Sequence, residues 1–150
     1  MNSDFKDLLR IFGEERVEYL IVGAYAVIHY AQPRYTKDID IWIKPSAENA
    51  ERVARAFGKF GIPLIEVTQK DFELEGLQYV IGVSPCQINF LTSLPGSSPF
   101  DQAWEGRSTD TCDGIEVYYL GKKDLIAAKE CAGRLQDLAD IDEIRRSEGG

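Results

Sequence analysis

Residues 19–43 read YLIVGAYAVIHYAQPRYTKDIDIWI, and this stretch decides the fold. Its opening, together with Val17 and Glu18, is a short β-branched apolar run (17–22) closed by Gly23, which reads as a buried strand. Residues 24–31 predict a short helix leaving that strand directly, ended by Pro33. Residues 38–43, DIDIWI, alternate strictly. Side chains of a strand project to opposite faces in turn, so Ile39, Ile41 and Ile43 share one face and Asp38, Asp40 and Trp42 the other.

Upstream, Phe5, Leu8, Leu9 and Phe12 recur at helical spacing, with Gly13 as a stop and Ser3 or Asp4 placed to cap the start. Downstream, Ser46 is placed to cap a helix whose inner stripe is Ala50, Val53, Ala54 and Phe57, ended by Gly61. Residues 62–67 (IPLIEV) predict a short strand. Residues 77–83 and 86–91 predict two more, separated by Ser84-Pro85. The segment 92–106 reads as a loop with one helical turn. Asp113-Gly114 between apolar runs signals a type I′ hairpin over 107–120. The tail is helical, with Leu125, Ile126, Leu135, Leu138, Ile141 and Ile144 as its apolar positions and Gly133 dividing it. Helices and hairpin strands are segregated, so the fold class is α+β: a mixed sheet flanked by helices, in one domain over 1–150.

Composition narrows the function. The chain has 150 residues, 17 Lys+Arg against 25 Asp+Glu, a net charge of −8 and one histidine. A chain of this size buries about 70% of the surface its unfolded form exposes and needs no staple to fold. Cys86, Cys112 and Cys131 form no CxxC pair, which argues against a zinc finger or a disulfide framework; they read as inert packing residues in a reducing, cytoplasmic setting. His29 alone cannot build a multi-histidine metal site and reads as an ordinary helix residue. No Lys/Arg run marks a general phosphate-backbone binder. The charged, amphipathic start reads as no signal peptide, and no apolar stretch suffices for a membrane span.

Asp38 and Asp40 carry the chemistry. Two carboxylates at i and i+2 on one strand repel unless solvent or a hard divalent cation separates them, and Mg²⁺ suits one or two carboxylates plus substrate phosphates. Exposed, solvated acids are the plain alternative. Gly23, between a strand and a helix, lets the backbone approach an anion at a helix N-terminus.

The order strand, Gly23, helix, Arg34, Thr36, Asp38-x-Asp40 resembles the nucleotidyltransferase superfamily related to DNA polymerase β, whose motif is a glycine turn, a helix and an Asp-x-Asp/Glu strand. It is most similar to the small AbiEii-type toxins and related nucleotidyltransferase-like proteins. INFLTSLPG (88–96) and DLIAAKECAGRLQDLADI (124–141) extend the likeness to residues 17–144. The resemblance implies that Asp38 and Asp40 hold Mg²⁺ (or Mn²⁺) against an NTP, and that Gly23 and Ala24, with Arg34 and Thr36, form the nucleotide-binding turn. Lys129 would reach the triphosphate, with Arg134 and Asp137 completing the site. A nucleoside monophosphate would pass to an acceptor (RNA, protein or small molecule), with release of pyrophosphate. It also implies a toxin–antitoxin role with a cognate protein partner. The alternatives are a solvated lysine at Lys129 and a plain i,i+3 pair for Arg134 and Asp137.

Two departures stand out. Ala24 replaces the usual Gly or Ser of the turn. Asn89 occupies the place of a third carboxylate; its amide oxygen can still ligate a metal but brings no charge and accepts no proton. Glu116 is a candidate replacement. Asn89 motivates a second reading, a nucleotide-binding or regulatory module impaired in transfer. A haloacid-dehalogenase-type phosphatase also places Asp-x-Asp after a strand, but its motif continues into Thr or Val, where this chain has Ile-Trp-Ile. An RNA acceptor requires a basic rim, for which Arg34, Lys37, Lys122, Lys123, Lys129 and Arg134 are the candidates.

Overall fold

The computed structural model describes residues 1–83 and 86–149; Ser84-Pro85, read above as a strand break, and Gly150 lie outside them. The elements run α1 (Ser3–Glu14), β1 (Tyr19–Val22), α2 (Gly23–Tyr30), β2 (Ile39–Ile43), α3 (Ala47–Phe60), a 3₁₀ turn (Gln69–Glu73), β3 (Gln78–Val83), β4 (Cys86–Leu91), α4 (Phe100–Glu105), β5 (Ser108–Cys112), β6 (Ile115–Tyr119), α5 (Lys122–Ala132) and α6 (Leu135–Gly149). The six strands form one sheet in the order β3-β4-β2-β1-β6-β5. It is mixed: β1 runs antiparallel to β2 and parallel to β6, β2 parallel to β4, while β3/β4 and β5/β6 are antiparallel pairs. The α+β expectation holds.

Register explains where the core lies. Ile21, Ile41 and Phe90 are laterally paired, so they share a face. On that face Phe90 meets Phe12 of α1 and Phe57 of α3 at ring-centroid distances of 6.2 and 5.0 Å. The isoleucines Ile39, Ile41 and Ile43 are fully buried, as their alternation requires. The opposite face carries the next row, Val22, Asp40 and Asn89, paired side by side across β1, β2 and β4. Trp42 follows two residues on, buried edge-to-face against Phe100 of α4 at 5.0 Å.

Local signals set most element ends. Ser46 Oγ accepts the Asn49 N–H, and Gly61 closes α3 in the left-handed region. Asp113 and Gly114 both have positive φ, as a type I′ turn requires. Gly133, at φ 65°, separates α5 from α6. Five expectations are corrected. Asn2, not Ser3 or Asp4, caps α1: its side chain accepts from the N–H groups of Asp4 and Phe5. Residues 62–67 form no strand, because Pro63 interrupts pairing and the chain passes through bends into the 3₁₀ turn, capped by Thr68. In α3 Ala56, rather than Ala54, is fully buried. Leu135 and Leu138 are exposed while Ile141 and Ile144 are buried, since the inward face of α6 is Asp137, Asp140, Ile141 and Ile144, at i, i+3, i+4 and i+7, and the two leucines lie off it. Of the cysteines only Cys112 packs, partly buried, against the core; Cys86 and Cys131 are exposed, and all three are free.

Candidate functional site

A cleft of about 290 Å³ opens on the Asp40 face of the sheet, lined by Val22, Gly23, Asp40, Asn89, Leu91, Leu94, Leu125, Ala128, Lys129, Ala132, Arg134 and Asp137. The sheet supplies its polar floor, and α5 with the start of α6 supplies the opposite wall. Gly23 stands at the junction of β1 and α2 with φ 66°. A side chain there would strike the Asp40 carboxylate: a Cβ would collide with Oδ2 and lie 3.0 Å from Cγ. Glycine is therefore what lets the α2 N-terminus and the carboxylate share one point. No side chain caps that terminus, so its first N–H groups are available to an anion.

Asp40 Oδ1 accepts a hydrogen bond of 3.0 Å from Asn89 Nδ2. Burial raises the carboxyl above the ordinary aspartate range; the Asn89 bond opposes the rise, Asp38 adds to it, and Lys129 and Arg134 oppose it. Asp38 stands just before β2, exposed, and its Oδ1 accepts the Gln87 N–H at 3.1 Å. It is outside the cleft lining but close enough to act on Asp40.

The donors suit a hard cation. Asp40 is a partly buried carboxylate, and Asn89 Oδ1 is buried without a hydrogen-bond partner. Among the described residues no three His, Cys, Asp or Glu converge as a metal cluster. A cation here would rest on Asp38, Asp40 and the Asn89 oxygen, with the remaining positions left to water and substrate, which is how Mg²⁺ ordinarily binds.

The wall opposite is cationic but paired. Lys129 Nζ lies 3.2 Å from Asp137 Oδ1 and 2.9 Å from Asp140 Oδ2. Asp137 also takes the Arg134 guanidinium at 2.7 Å, and its Oδ2 accepts the Arg134 backbone N–H at the start of α6. Chiefly through Arg134, against the cost of burial and with help from Lys129, Asp137 is held down to about 2.

A family model described as "Nucleotidyltransferase of unknown function (DUF6036)" matches residues 5–146. The chain belongs to this nucleotidyltransferase family. No curated protein matches it. Among the described residues no helix is long and apolar enough to cross a membrane.

Of the residues singled out from the family resemblance, the fold gathers Gly23, Asp40, Asn89, Lys129 and Arg134 around one cleft, with Asp137. Ala24 follows Gly23 inside α2 and does not line it. Arg34 and Thr36 line a separate groove with Tyr35 and Lys37, and Arg34 turns to α6, donating to Asp140 at 2.7 Å. Glu116 is exposed on β6 and outside the cleft. His29 stacks on Tyr119 at 4.1 Å and bonds Ser108 Oγ at 2.8 Å, away from the cleft. Sequence reasoning missed Asp140. Its only signal was the Asp137-x-x-Asp140 spacing, which puts two acids on one helix face.

Proposed function

We propose that this family member binds a nucleoside triphosphate with Mg²⁺ (or Mn²⁺) in the cleft and transfers its nucleoside monophosphate to an acceptor. The observation that carries the reading is the close approach of Gly23 to Asp40, which joins an uncapped helix N-terminus to a carboxylate. The N-terminal N–H groups of α2 bind phosphate oxygens; Asp38, Asp40 and the Asn89 oxygen hold the cation; Lys129 faces the polyphosphate from α5, and Arg134 from the turn between α5 and α6. The leucines and alanines of the same cleft offer an apolar bed to the rest of the nucleotide. When bound, the metal neutralises charge on the polyphosphate and on the departing pyrophosphate. The acceptor is an RNA, a protein or a small molecule, and a toxin–antitoxin setting with a cognate protein partner belongs to the same reading. Isothermal titration of each Mg·NTP tests the site: binding is expected in the wild-type chain and lost in Asp38→Ala and in Asp40→Ala. Equal affinity in wild type and double variant sinks the assignment.

Asn89 favours a second reading, a nucleotide-binding module impaired in transfer, because its amide brings neither charge nor basicity beside Asp40. Transfer from labelled NTPs separates the two. Activity gained only on Asn89→Asp supports the impaired module; robust transfer by the wild-type chain excludes it.

A further inference from the structure

Arg34, Asp140, Lys129, Asp137 and Arg134 form a ladder of alternating charge that begins outside the cleft and ends at its mouth. Its links are 2.7, 2.9, 3.2 and 2.7 Å. Asp140 is its most buried member: it is 1% exposed and also accepts from Gln136 Nε2 at 2.8 Å. Burial alone would raise its carboxyl; the bonds from Arg34, Lys129 and Gln136 outweigh that and hold it below the ordinary value. Glu143 adds a weaker contact to Arg34 at 3.9 Å. Asp140 itself does not line the cleft, but both of its charged partners matter to it. Lys129 forms part of the wall, and Arg34 lies four residues before Asp38, on the segment that delivers Asp38 to the edge of the sheet.

We propose that Asp140 is the positioning residue of the site, a buried anion that seats the Lys129 ammonium against the cleft and ties the Asp38-bearing segment to α6 through Arg34. This rests on the nucleotide-binding reading above. A lysine on a flexible four-carbon stem gains direction only from what holds its head group. Asp137 alone does not suffice, because its oxygens are shared with the Arg134 side chain and backbone.

The test is a double-variant cycle read by titration of Mg·ATP, Mg·GTP, Mg·CTP and Mg·UTP, with Mg·tripolyphosphate as a probe of the phosphate contacts alone. Losing a charge-assisted contact weakens binding by about tenfold or more. Asp140→Asn is therefore expected to weaken the best-bound nucleotide by about tenfold in the wild-type background and to add a much smaller loss, that of the Arg34 tie alone, in the Lys129→Met background. A merely structural role predicts the same added loss in both, and that result overturns the proposal. Urea unfolding checks that Asp140→Asn is folded. If it is not, the wild-type chain decides through the ¹⁵Nζ resonance of Lys129. A Lys129–Asp140 bond that persists when Mg·tripolyphosphate is added supports the proposal, and a bond that breaks overturns it. Absence of any NTP or tripolyphosphate binding by the wild-type chain takes down the nucleotide reading and this inference together. Wild-type binding with equal losses in both backgrounds takes down this inference alone.

Discussion

Replacing Gly23 with alanine perturbs the site at the point where its geometry is tightest. The cost has two sources. At φ 66° an alanine backbone pays about 1–2 kcal/mol relative to its preferred regions. The new Cβ also occupies the position of Asp40 Oδ2, so the carboxylate must swing away and lose its 3.0 Å bond from Asn89. For a charged acceptor in a partly buried place that is roughly 1.5–3 kcal/mol. Together the loss is roughly 2.5–5 kcal/mol. In a chain of this length each kcal/mol lowers Tm by about 2–4 °C, so the expected fall is on the order of 10 °C. Thermal and urea unfolding followed by circular dichroism measure it. Two controls isolate the cause. Gly13→Ala, in α1 with nothing within 4 Å of a new Cβ, is expected to gain about 0.5–1 kcal/mol from helix propensity. In an Asp40→Ala background Gly23→Ala keeps only its backbone cost of about 1–2 kcal/mol. A Gly23→Ala chain that melts with the wild type, or a penalty unchanged when Asp40 is already alanine, refutes the close-approach argument.

Other expectations follow from the same geometry. Burial raises the Asp40 carboxyl, so ionised Asp40 opposes folding of the metal-free chain at neutral pH. Asp40→Asn is therefore expected to stabilise that chain by roughly 0.5–2 kcal/mol while abolishing Mg·NTP binding, with differential scanning calorimetry reading the first and titration the second. Asp137 carries the opposite sign. Its folded value of about 2 lies below the unfolded 3.8, so its stabilisation is complete above about pH 4 and is lost as pH falls toward 2; an acid titration of Asp137→Asn lacks this component. Ile144→Ala, at a fully buried position, is expected to cost about 2–5 kcal/mol, and Leu135→Ala, at an 87% exposed one, less than about 0.5 kcal/mol, both by urea midpoint.

Much of this protein is readable from local pattern. The alternation of 39–43 assigned faces to β2, and Asp113-Gly114 and Gly133 marked a turn and a helix break, because each depends on the conformational range of a few adjacent residues. Residues 62–67 misled for the same reason: an apolar run is compatible with a strand and with a loop folded over the body, and only Pro63 within it disfavours pairing. The helical tail misled likewise, since periodicity finds an apolar stripe without stating how much of it meets a neighbour. Leu135 and Leu138 lie off the face on which Asp137, Asp140, Ile141 and Ile144 are buried.

By itself the sequence determined the family, the fold class, and that Gly23 at the end of one strand and Asp38 and Asp40 at the start of the next stand a helix apart. Those are short-range facts of pattern and spacing. The family resemblance groups Asn89, Lys129 and Arg134 with the aspartates; only the tertiary structure decided that Asn89 Nδ2 donates to Asp40, that Asp137 and Asp140 hold Lys129, and that Arg34 turns from the cleft to Asp140. The pairing of β2 with β4 and the packing of α5 and α6 minimise the free energy of the whole chain. The partner of a charged side chain separated by a hundred residues is settled by that global packing and leaves no local trace.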